Sequence, residues 1–391
     1  MVNNFNFSRL PEIIFGAGKI SVLPDKMSGF GKTVLLITGE KSLNNNAKWQ
    51  EVIKRFEDGK RTVYRTKVGK EPTPAMVDKV RDEYRGKKVD VVVAIGGGSV
   101  MDTGKSVSAM LPAEGSVKDY LEGVGTKKHN GKKVPFIAIP TTSGTGSETT
   151  NNAVIAEVGS NGFKKSLRHE NFVPDITIVD PELTMACPVK ITAYSGMDAF
   201  TQLLESYVSV KAGPFTDVLA FEGLKHIQSG LLSVNMDSKK NLNARADMAY
   251  ASMISGITLS NAGLGTVHGF ASSIGGYFEI PHGMICGTLM ATCNKITIQK
   301  LIEKDKENVA VQKYLNVARL FVGGEIKKKE ELLFKLIEKL EVYTDLLQMP
   351  KLGQFGIQET DFERIVEATA NKNNPYQLSK DDMMRVLWER V

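Results

Sequence analysis

The chain has 391 residues, of which 42% are apolar and 24% charged, and its formal net charge is +6. These proportions are ordinary for a globular protein. The length exceeds that at which a single hydrophobic core stops growing, so two domains are expected. Positive and negative side chains are interspersed along the chain, which argues against a nucleic-acid-binding groove.

The sequence also argues against secretion and against a membrane-embedded protein. No segment has the roughly 18 uninterrupted apolar residues of a membrane span. The N-terminus lacks the basic and apolar regions of a signal peptide. Three cysteines do not make a disulfide framework, and their odd number favours a reducing cytoplasm.

The first half of the chain predicts alternating strands and helices. Runs of strand length, rich in β-branched residues, are typical of parallel strands buried on both faces. A short strand and turn lie at residues 13–18, and further strands lie at 33–38, 61–68, 89–95, 134–139 and 176–179. Helix-like segments at 47–56 and from residue 73 or 74 to 84 separate the earlier strands. This alternation predicts a right-handed, doubly wound α/β domain.

A glycine run, Gly96-Gly97-Gly98-Ser99, directly follows the strand predicted at 89–95. Glycines allow the backbone to approach a phosphate closely, and the amides at the start of the following helix attract an anion. The run is neither GxGxxG nor a Walker loop, and a tight turn between strand and helix would look the same. Asp102 and Lys105 lie one helical turn apart, so either one faces the cleft or the two form a surface ion pair.

A second loop, Thr141-Thr142-Ser-Gly-Thr-Gly-Ser147-Glu148, follows the strand predicted at 134–139. Its hydroxyls offer hydrogen bonds to a ribose, a phosphate or a base. A flexible linker has a similar composition, but this segment leads from a buried strand into another apolar run at 153–156. Lys164 and Lys165, further on, either reach a cofactor phosphate or face water.

From about Cys187 the chain predicts helices only. They lie at 191–209, 215–233, 241–260, 264–276, 283–297, 308–321, 326–347, 360–370 and 380–390. The change of character predicts two domains, an α/β domain over residues 1–186 and an all-helical domain over residues 187–391.

Candidate metal ligands lie in the helical half. Asp198 and Gln202 are spaced i, i+4 within one predicted helix and therefore share a face. His268 lies in another helix-like stretch, and His282 is predicted to lie in the loop after it. Asp and His are suitable ligands for iron or zinc. The spacing matches no standard zinc signature, and a surface histidine and a plain Pro-His-Gly turn would explain both histidines equally well.

Five motifs, taken together and in order, resemble the iron-containing (group III) alcohol dehydrogenases, which are relatives of the dehydroquinate synthases and glycerol dehydrogenases. They are Gly96-Gly-Gly-Ser-Val-Met-Asp102-Thr-Gly-Lys105, Pro140-Thr-Thr-Ser-Gly-Thr-Gly-Ser-Glu148, Pro181-Glu-Leu-Thr, Gly196-Met-Asp198-Ala and Pro281-His282-Gly283. The resemblance covers essentially the whole chain. It implies a dehydroquinate synthase-like fold, in which an N-terminal dinucleotide-binding domain with a doubly wound parallel sheet precedes an all-α C-terminal metal-binding domain. The active site would lie in the cleft between them.

The resemblance also implies roles for individual residues. It places Asp102 in the catalytic cleft near the nicotinamide and Lys164 near the cofactor ribose. The family usually binds its metal through one Asp and three His, of which Asp198, His268 and His282 match three. The positions that match the pyrophosphate loop are Gly97, Gly98 and Ser99, and those that match the second cofactor loop are Thr141, Thr142 and Ser147.

Two positions depart from the family pattern. The fourth ligand position holds Gln202, a neutral but weaker and harder donor, which should lower the affinity for iron or zinc. Three protein ligands and water would still leave an open, catalytic geometry. Ser272, four residues after His268, stands where many members carry a histidine as a proton relay, and a serine passes a proton only through water. The resemblance therefore implies Fe²⁺, with Zn²⁺ possible, on Asp198, Gln202, His268 and His282.

The end of the strand at 33–38 bears on the choice of cofactor. Many NAD-using members have an Asp there, which binds the ribose 2′-hydroxyl and repels a 2′-phosphate. This chain has Gly39, which leaves room, followed by Lys41 and Ser42, which would hold a phosphate. We therefore expect NADP(H) rather than NAD(H), although Glu40 argues for the opposite choice.

These inferences predict a metal-dependent, NAD(P)-linked alcohol dehydrogenase or aldehyde reductase. Its substrate would be a small primary alcohol or aldehyde. Its catalytic residues would be Asp102, His268 and Ser272. We expect it in the cytoplasm and, as is usual among such relatives, as a homodimer. The alternatives are a dehydroquinate synthase-like lyase or cyclase, whose basic cluster is not found near 260–285, and a degenerate nucleotide-binding relative that lost the histidine at 202.

Overall fold

The computed structural model describes residues 4–40, 47–58, 61–236, 241–323 and 326–391. Strands β1–β8 lie in the first half of the chain, at Glu12–Phe15, Thr33–Gly39, Thr62–Val68, Val91–Gly96, Phe136–Pro140, Asn152–Glu157, Phe163–Arg168 and Ile176–Val179. Helices α1–α4 accompany them, at Leu23–Met27, Ala47–Asp58, Pro74–Tyr84 and Gly98–Met110.

Six of these strands form one parallel sheet in the order β1-β8-β5-β4-β2-β3. Successive side chains of β2 point to opposite faces. Leu35 and Ile37 belong to a buried cluster with α3 and α4, whereas Val34 and Leu36 belong to another with α1 and α2. Helices thus cover both faces of the sheet, which explains why its inner strands β2, β4, β5 and β8 are almost continuously apolar. The prediction of a doubly wound parallel sheet is confirmed.

The sheet brings the two glycine-containing loops together. β4 and β5 are neighbours, with Gly96 paired to Pro140 at their carboxyl ends. The amide of Thr141 donates to the carbonyl oxygen of Gly96 at 2.8 Å. Gly97 is the N-cap of α4. Both loops therefore emerge at one edge of the sheet, which is where parallel α/β sheets bind their ligands.

β6 and β7 form a separate antiparallel hairpin. The sequence predicted only an apolar run at 153–156 and no strand at Phe163–Arg168. Three charged side chains interrupt the alternation of β7 and conceal it. In the hairpin Lys164 is buried and Lys165 is exposed, since neighbouring residues of a strand face opposite sides.

The second half of the chain forms helices α5–α13, at Val189–Val208, Pro214–Met236, Leu242–Ala262, Thr266–Tyr277, His282–Lys304, Val309–Val322, Lys329–Leu346, Phe362–Ala368 and Lys380–Arg390. Each helix predicted there is present within the described residues. A large apolar cluster built from these helices forms their common core. No helix in the described part of the chain has the length and apolarity that crossing a bilayer requires. The domain boundary at residue 186 stays a prediction, and it lies between β8 and α5.

Two glycines let the second loop lie directly on α7. A Cβ atom at Gly256 would lie 2.0 Å from the carbonyl oxygen of Gly146, which has a φ of +61°. Nearby, Thr149 donates through Oγ1 to the carbonyl oxygen of Met253 at 2.9 Å. Backbone therefore touches backbone, and this contact sets the position of the loop relative to the helical half.

Replacing Gly256 by Ala should destabilise the protein, because the two backbones would have to separate. We expect Gly256→Ala to lower the free energy of unfolding by about 1–3 kcal/mol, the usual cost of overpacking. The measurement is thermal or denaturant unfolding. Gly86→Ala is the control, since a Cβ atom there meets nothing within 4 Å. Equal stability of the two variants would contradict the importance of this contact.

Candidate active site

A groove of about 830 Å³ lies between the carboxyl edge of the sheet and the helical half. It is large enough for a dinucleotide and a small second ligand. Its lining includes Gly39, Glu40, Gly97, Gly98, Ser99, Asp102, Thr141, Thr142, Ser147, Lys164, Gln202, His268, Ser272 and His282. Of the other predicted site residues, Asp198 is buried beside the two histidines. Lys41 and Ser42 lie outside the described residues.

Close packing, rather than backbone conformation, explains Gly98 in the first loop. A Cβ atom there would lie 2.7 Å from Cγ2 of Thr145, whereas one at Gly97 would make only an ordinary contact of 3.4 Å with the side chain of Thr142. The two loops thus touch where the first turn of α4 begins. The first amides of a helix have no acceptor within it, so this turn is suited to a phosphate.

The sequence left open whether Asp102 or Lys105 faces the cleft. Lys105 is buried, and its ammonium group donates to the carbonyl oxygens of Ser147 and Asn152 and to Oγ1 of Thr150, each at 2.7 Å. Asp102 lines the groove and accepts from Oγ of Ser147 at 2.5 Å. Lys105 therefore holds the second loop onto α4. Burial raises the pKa of Asp102, although Lys105 and Ser147 act in the opposite direction.

Lys164 faces the groove and is held there by a carboxylate. Its Nζ lies 2.7 Å from each carboxylate oxygen of Glu71. Its carbonyl oxygen accepts a hydrogen bond from Oγ of Ser272 at 2.9 Å, which joins β7 to α8. The hydroxyl hydrogen of Ser272 is therefore used by the backbone, and only its oxygen is available to accept from water.

Four potential metal ligands lie within 4.8 Å of one another: Asp198, His268, His282 and Cys286. Oδ1 of Asp198 lies 3.3 Å from Nε2 of His268 and 3.7 Å from Nε2 of His282. Sγ of Cys286 lies 3.6 Å and 3.8 Å from the same two nitrogens. The first three residues are predicted ligands that the fold brings together. The sequence did not predict Cys286 as a candidate.

The prediction that His282 lies in a loop is wrong, since it is the first residue of α9. Pro281 is the N-cap, and its carbonyl oxygen accepts from the amide of Ile285 at 3.2 Å. Proline and glycine suggested a turn, but the start of a helix tolerates both because the first amides need no partner there. A Cβ atom at Gly283 would lie 2.3 Å from the carbonyl oxygen of Tyr194. Glycine therefore lets α9 start against α5, within reach of Asp198.

Glu205 orients His268 and was not predicted from the sequence. Nδ1 of His268 donates to Oε2 of Glu205 at 2.6 Å, and the amide of Val267 donates to Oε1 at 2.7 Å. Nε2 of the same ring faces Oδ1 of Asp198 at 3.3 Å. An ion bound there would replace a proton on Nε2. A carboxylate behind a histidine is the usual outer partner of a metal ligand. The signal was present, because Asp198, Gln202 and Glu205 follow i, i+4, i+7 spacing on one helix face.

The protonation states of the cluster suit metal binding in part. Burial, together with Lys164 and His268, lowers the pKa of His282 to about 4 against the opposing effect of Asp198, so the ring is neutral at neutral pH. Burial acts to raise the pKa of Asp198, but His282 and His268 outweigh it and lower the pKa overall. Burial acts to lower the pKa of His268, but Cys286, Asp198 and Glu205 outweigh it and raise the pKa well above its usual value. Burial raises the pKa of the Cys286 thiol to about 12. Asp198 and His282 are thus already in the forms that bind a metal, whereas binding by His268 and Cys286 would release a proton from each.

Comparison with known proteins identifies the family. A sequence profile described as iron-containing alcohol dehydrogenase matches residues 11–181. A second, described as the C-terminal part of the Fe-containing alcohol dehydrogenase family, matches residues 192–391. The chain belongs to the iron-containing alcohol dehydrogenase family.

Relatives in this family match over nearly the full length of the chain. The NAD-dependent methanol dehydrogenase of Bacillus methanolicus is 29% identical and aligned over 98% of each chain. The NADPH-dependent butanol dehydrogenase of Clostridium saccharobutylicum is 30% identical over 96% of this chain and 95% of its own. The structure of an alcohol dehydrogenase from Oenococcus oeni has a TM-score of 0.88 and 26% identity, and covers 99% of this chain and 100% of its own.

The predicted family and fold are thus confirmed. The prediction of a metal-dependent alcohol dehydrogenase is confirmed as well. Neither a dehydroquinate synthase-like lyase nor a degenerate nucleotide-binding relative is supported.

Gln202, the departure from the family pattern, has a partner outside the cluster. It is buried one turn after Asp198, and its Oε1 accepts from Oγ of Ser255 on α7 at 2.6 Å. Its amide oxygen is thus tied to the helix behind it. The role of Gln202 as a metal ligand stays a prediction.

Replacing Glu205 by Gln should weaken metal binding. The amide oxygen can accept from only one of the two donors, and its NH₂ group would face the other. We expect the metal affinity to fall about 10- to 100-fold, as for other outer partners of metal ligands. The measurement is a competition titration with a coloured chelator, with the exposed Glu331→Gln on α11 as control. Unchanged affinity would show that Glu205 does not orient the ligand.

Proposed function

We propose that the protein transfers a hydride between a nicotinamide cofactor in the groove and a small primary alcohol or aldehyde beside the metal cluster. The observation that carries this proposal is the position of the cluster. His268 and His282 line the same groove as the glycine loop at the start of α4, and Asp198 is buried directly behind them. A cofactor on the loop and a substrate beside the cluster would therefore share one groove.

The first half of the chain would hold the cofactor. A nicotinamide dinucleotide supplies or accepts the hydride when bound. The amides of Gly98 and Ser99, at the positive end of α4, would bind its pyrophosphate. The hydroxyls of Thr141 and Thr142 line the neighbouring wall, and Asp102 lies further along the same lining. The contact between Gly146 and Gly256 keeps this wall at a fixed distance from the helices.

The second half would hold the metal. A divalent ion there supplies a Lewis acid for the substrate oxygen. Asp198 contributes a buried carboxylate, and His268 and His282 contribute Nε2 atoms on either side of it. Glu205 holds the ring of His268 in the orientation that binding requires. The family description suggests Fe²⁺, and Zn²⁺ is the other ion that this set of donors accepts.

The groove suits a short apolar substrate. Val154, Ile191, Leu259 and Leu264 line it together with the cluster. Its basic side chains Lys164 and Arg168 are already paired with Glu71 and Glu122. A substrate with several negative charges would therefore find few cations to bind it. The relatives named for methanol and for butanol support a small alcohol.

Proton transfer would pass through water. Ser272 lines the groove but donates its hydroxyl hydrogen to Lys164. Its oxygen can accept from a water molecule, so the serine would orient that water rather than hold a proton itself. The catalytic roles of Asp102, His268 and Ser272 stay predictions.

Removing either histidine should abolish turnover. We expect His268→Ala and His282→Ala to lower kcat/KM about 1000-fold or more, since each leaves too few ligands to hold a Lewis acid worth several kcal/mol. The assay is anaerobic oxidation of NADPH and NADH with short aldehydes. It begins with metal-stripped protein, to which Fe²⁺ or Zn²⁺ is returned. Turnover of either variant at the wild-type rate would exclude the metal role.

The expected preference for NADP(H) remains a prediction. Gly39 leaves room for a 2′-phosphate, while Lys41 and Ser42 lie outside the described residues. Glu40 lines the groove, with its carboxylate against Gly69, and opposes this preference. A carboxylate repels a 2′-phosphate and accepts from a 2′-hydroxyl.

Removing the charge of Glu40 should therefore favour NADPH. We expect Glu40→Gln to raise the ratio of kcat/KM with NADPH to that with NADH about tenfold, because a contact between like charges at about 4 Å in water costs about 1 kcal/mol and Glu40 is exposed. The exposed Glu83→Gln on α3 is the control. An unchanged ratio would show that Glu40 does not face the ribose. A wild-type ratio below one would contradict the NADP(H) prediction itself.

The predicted homodimer and the cytoplasmic location also remain predictions. Light scattering and cell fractionation would test them.

A further inference from the structure

We propose that Cys286, rather than Gln202, is the fourth protein ligand of the metal, and that its thiolate makes the site prefer Zn²⁺ to Fe²⁺. This inference rests on the proposed metal role of Asp198, His268 and His282. It concerns which side chain completes the set and what ion that set selects.

The first argument is position. Cys286 lies four residues after His282 on α9, so both side chains project from the same face of that helix. Cys286 is buried at 0% exposure, in the gap between α9, α5 and α8. A buried cysteine is often only a small apolar side chain. The sulfur of Cys286, in contrast, lies beside two imidazole nitrogens and the carboxylate of Asp198.

The second argument is distance. In a tetrahedral zinc site, bonds of about 2.0–2.1 Å to nitrogen and oxygen and about 2.3 Å to sulfur place a nitrogen about 3.3 Å from an oxygen and about 3.6 Å from a sulfur. In the structure, the nitrogens of His268 and His282 lie 3.3 Å and 3.7 Å from Oδ1 of Asp198. They lie 3.6 Å and 3.8 Å from Sγ of Cys286. Four of the six distances between the donor atoms are therefore close to those of a zinc tetrahedron, and the other two do not exceed 4.8 Å.

The third argument concerns Gln202. Its Oε1 already accepts from Oγ of Ser255, which ties the amide to α7. An amide oxygen is also a weak donor for zinc, whereas a thiolate is a strong one. Cys286 thus supplies the affinity that a chain with Gln202 in place of histidine would lack.

Coordination by Cys286 requires the loss of its proton. The S–H bond breaks, a metal–sulfur bond forms, and the proton leaves to solvent. The two positive charges of the ion would stabilise the thiolate in this buried site.

The test is replacement of the native metal by Co²⁺ in the full-length protein. Only a thiolate bound to Co²⁺ gives an intense charge-transfer band in the near ultraviolet. We expect this band in the wild type at one Co²⁺ per chain, its loss in Cys286→Ser and Cys286→Ala, and its retention in Gln202→Ala. Cys293→Ser is the matched control, because Cys293 is another buried cysteine of α9 that does not belong to the cluster.

Metal competition gives a second readout. We expect Cys286→Ser to lower the affinity for Zn²⁺ by more than the roughly 10–100-fold that loss of an outer partner costs. The preference for Zn²⁺ over Fe²⁺, measured by elemental analysis after dialysis against both ions, should fall in the same variant.

The outcomes separate this inference from the proposed function. Stoichiometric Co²⁺ without the band in the wild type would refute Cys286 as a ligand and leave the metal role of the other three residues standing. Loss of the band in Gln202→Ala together with its retention in Cys286→Ser would also refute Cys286 as a ligand. Failure of the wild type to bind Co²⁺, or equal binding by His268→Ala and His282→Ala, would overturn both. The wild-type spectrum alone decides the question if the cysteine variants do not fold.

Discussion

The hydrogen bond from Nδ1 of His268 to Glu205 is the interaction on which the site depends. It holds the ring so that Nε2 faces Oδ1 of Asp198 at 3.3 Å. Glu205 can do this because it lies on the same face of α5 as Asp198, and because its second oxygen accepts from the backbone at Val267. One buried carboxylate thus sets both the orientation of the His268 ring and the position of the helix that carries it. Without it, the donors would lie near one another but would not be oriented for an ion.

Close backbone contacts then place this site against the cofactor groove. Gly283 lets α9 start against α5, and Gly256 lets the hydroxyl-rich loop lie on α7. Lys105, a buried residue of α4, binds that loop through three hydrogen bonds. The first two contacts thus require a residue without a side chain, and the third requires a long side chain with a buried positive charge. The walls of the groove therefore derive their spacing from backbone contacts, which vary little, rather than from flexible side chains on the surface.

The sheet could be predicted from the sequence because its inner strands are buried on both faces and are therefore almost wholly apolar. The helices of the second half were predicted from length and periodicity. β7 was missed because Lys164, Lys165 and Arg168 conceal its alternation, and only the structure shows that one lysine is buried and the next exposed.

The site was predicted in part, for reasons that lie in particular residues. Asp198, His268 and His282 were found through motifs, whereas Glu205 contacts a residue 63 positions away and could be found only through its helix face. Cys286 was missed because His282 was placed in a loop. Once His282 is the first residue of α9, the cysteine one turn later shares its face. A single misplaced helix boundary therefore hid a potential ligand, because helical spacing shows which residues share a face only when both residues lie in the same helix.

The origin of the donors on three separate helices bears on how this protein acquires its metal. Asp198 lies on α5, His268 on α8, and His282 and Cys286 on α9, while two long helices, α6 and α7, lie between the first donor and the second. The donors meet only after the chain has closed these long loops and packed the apolar cluster of the helical half. That cluster is large, and of the four donors only Cys286 belongs to it. The helical half therefore has an extensive apolar core that does not depend on the ion, unlike a small zinc-finger domain, which its metal holds together. We expect the protein to keep its fold when the metal is removed.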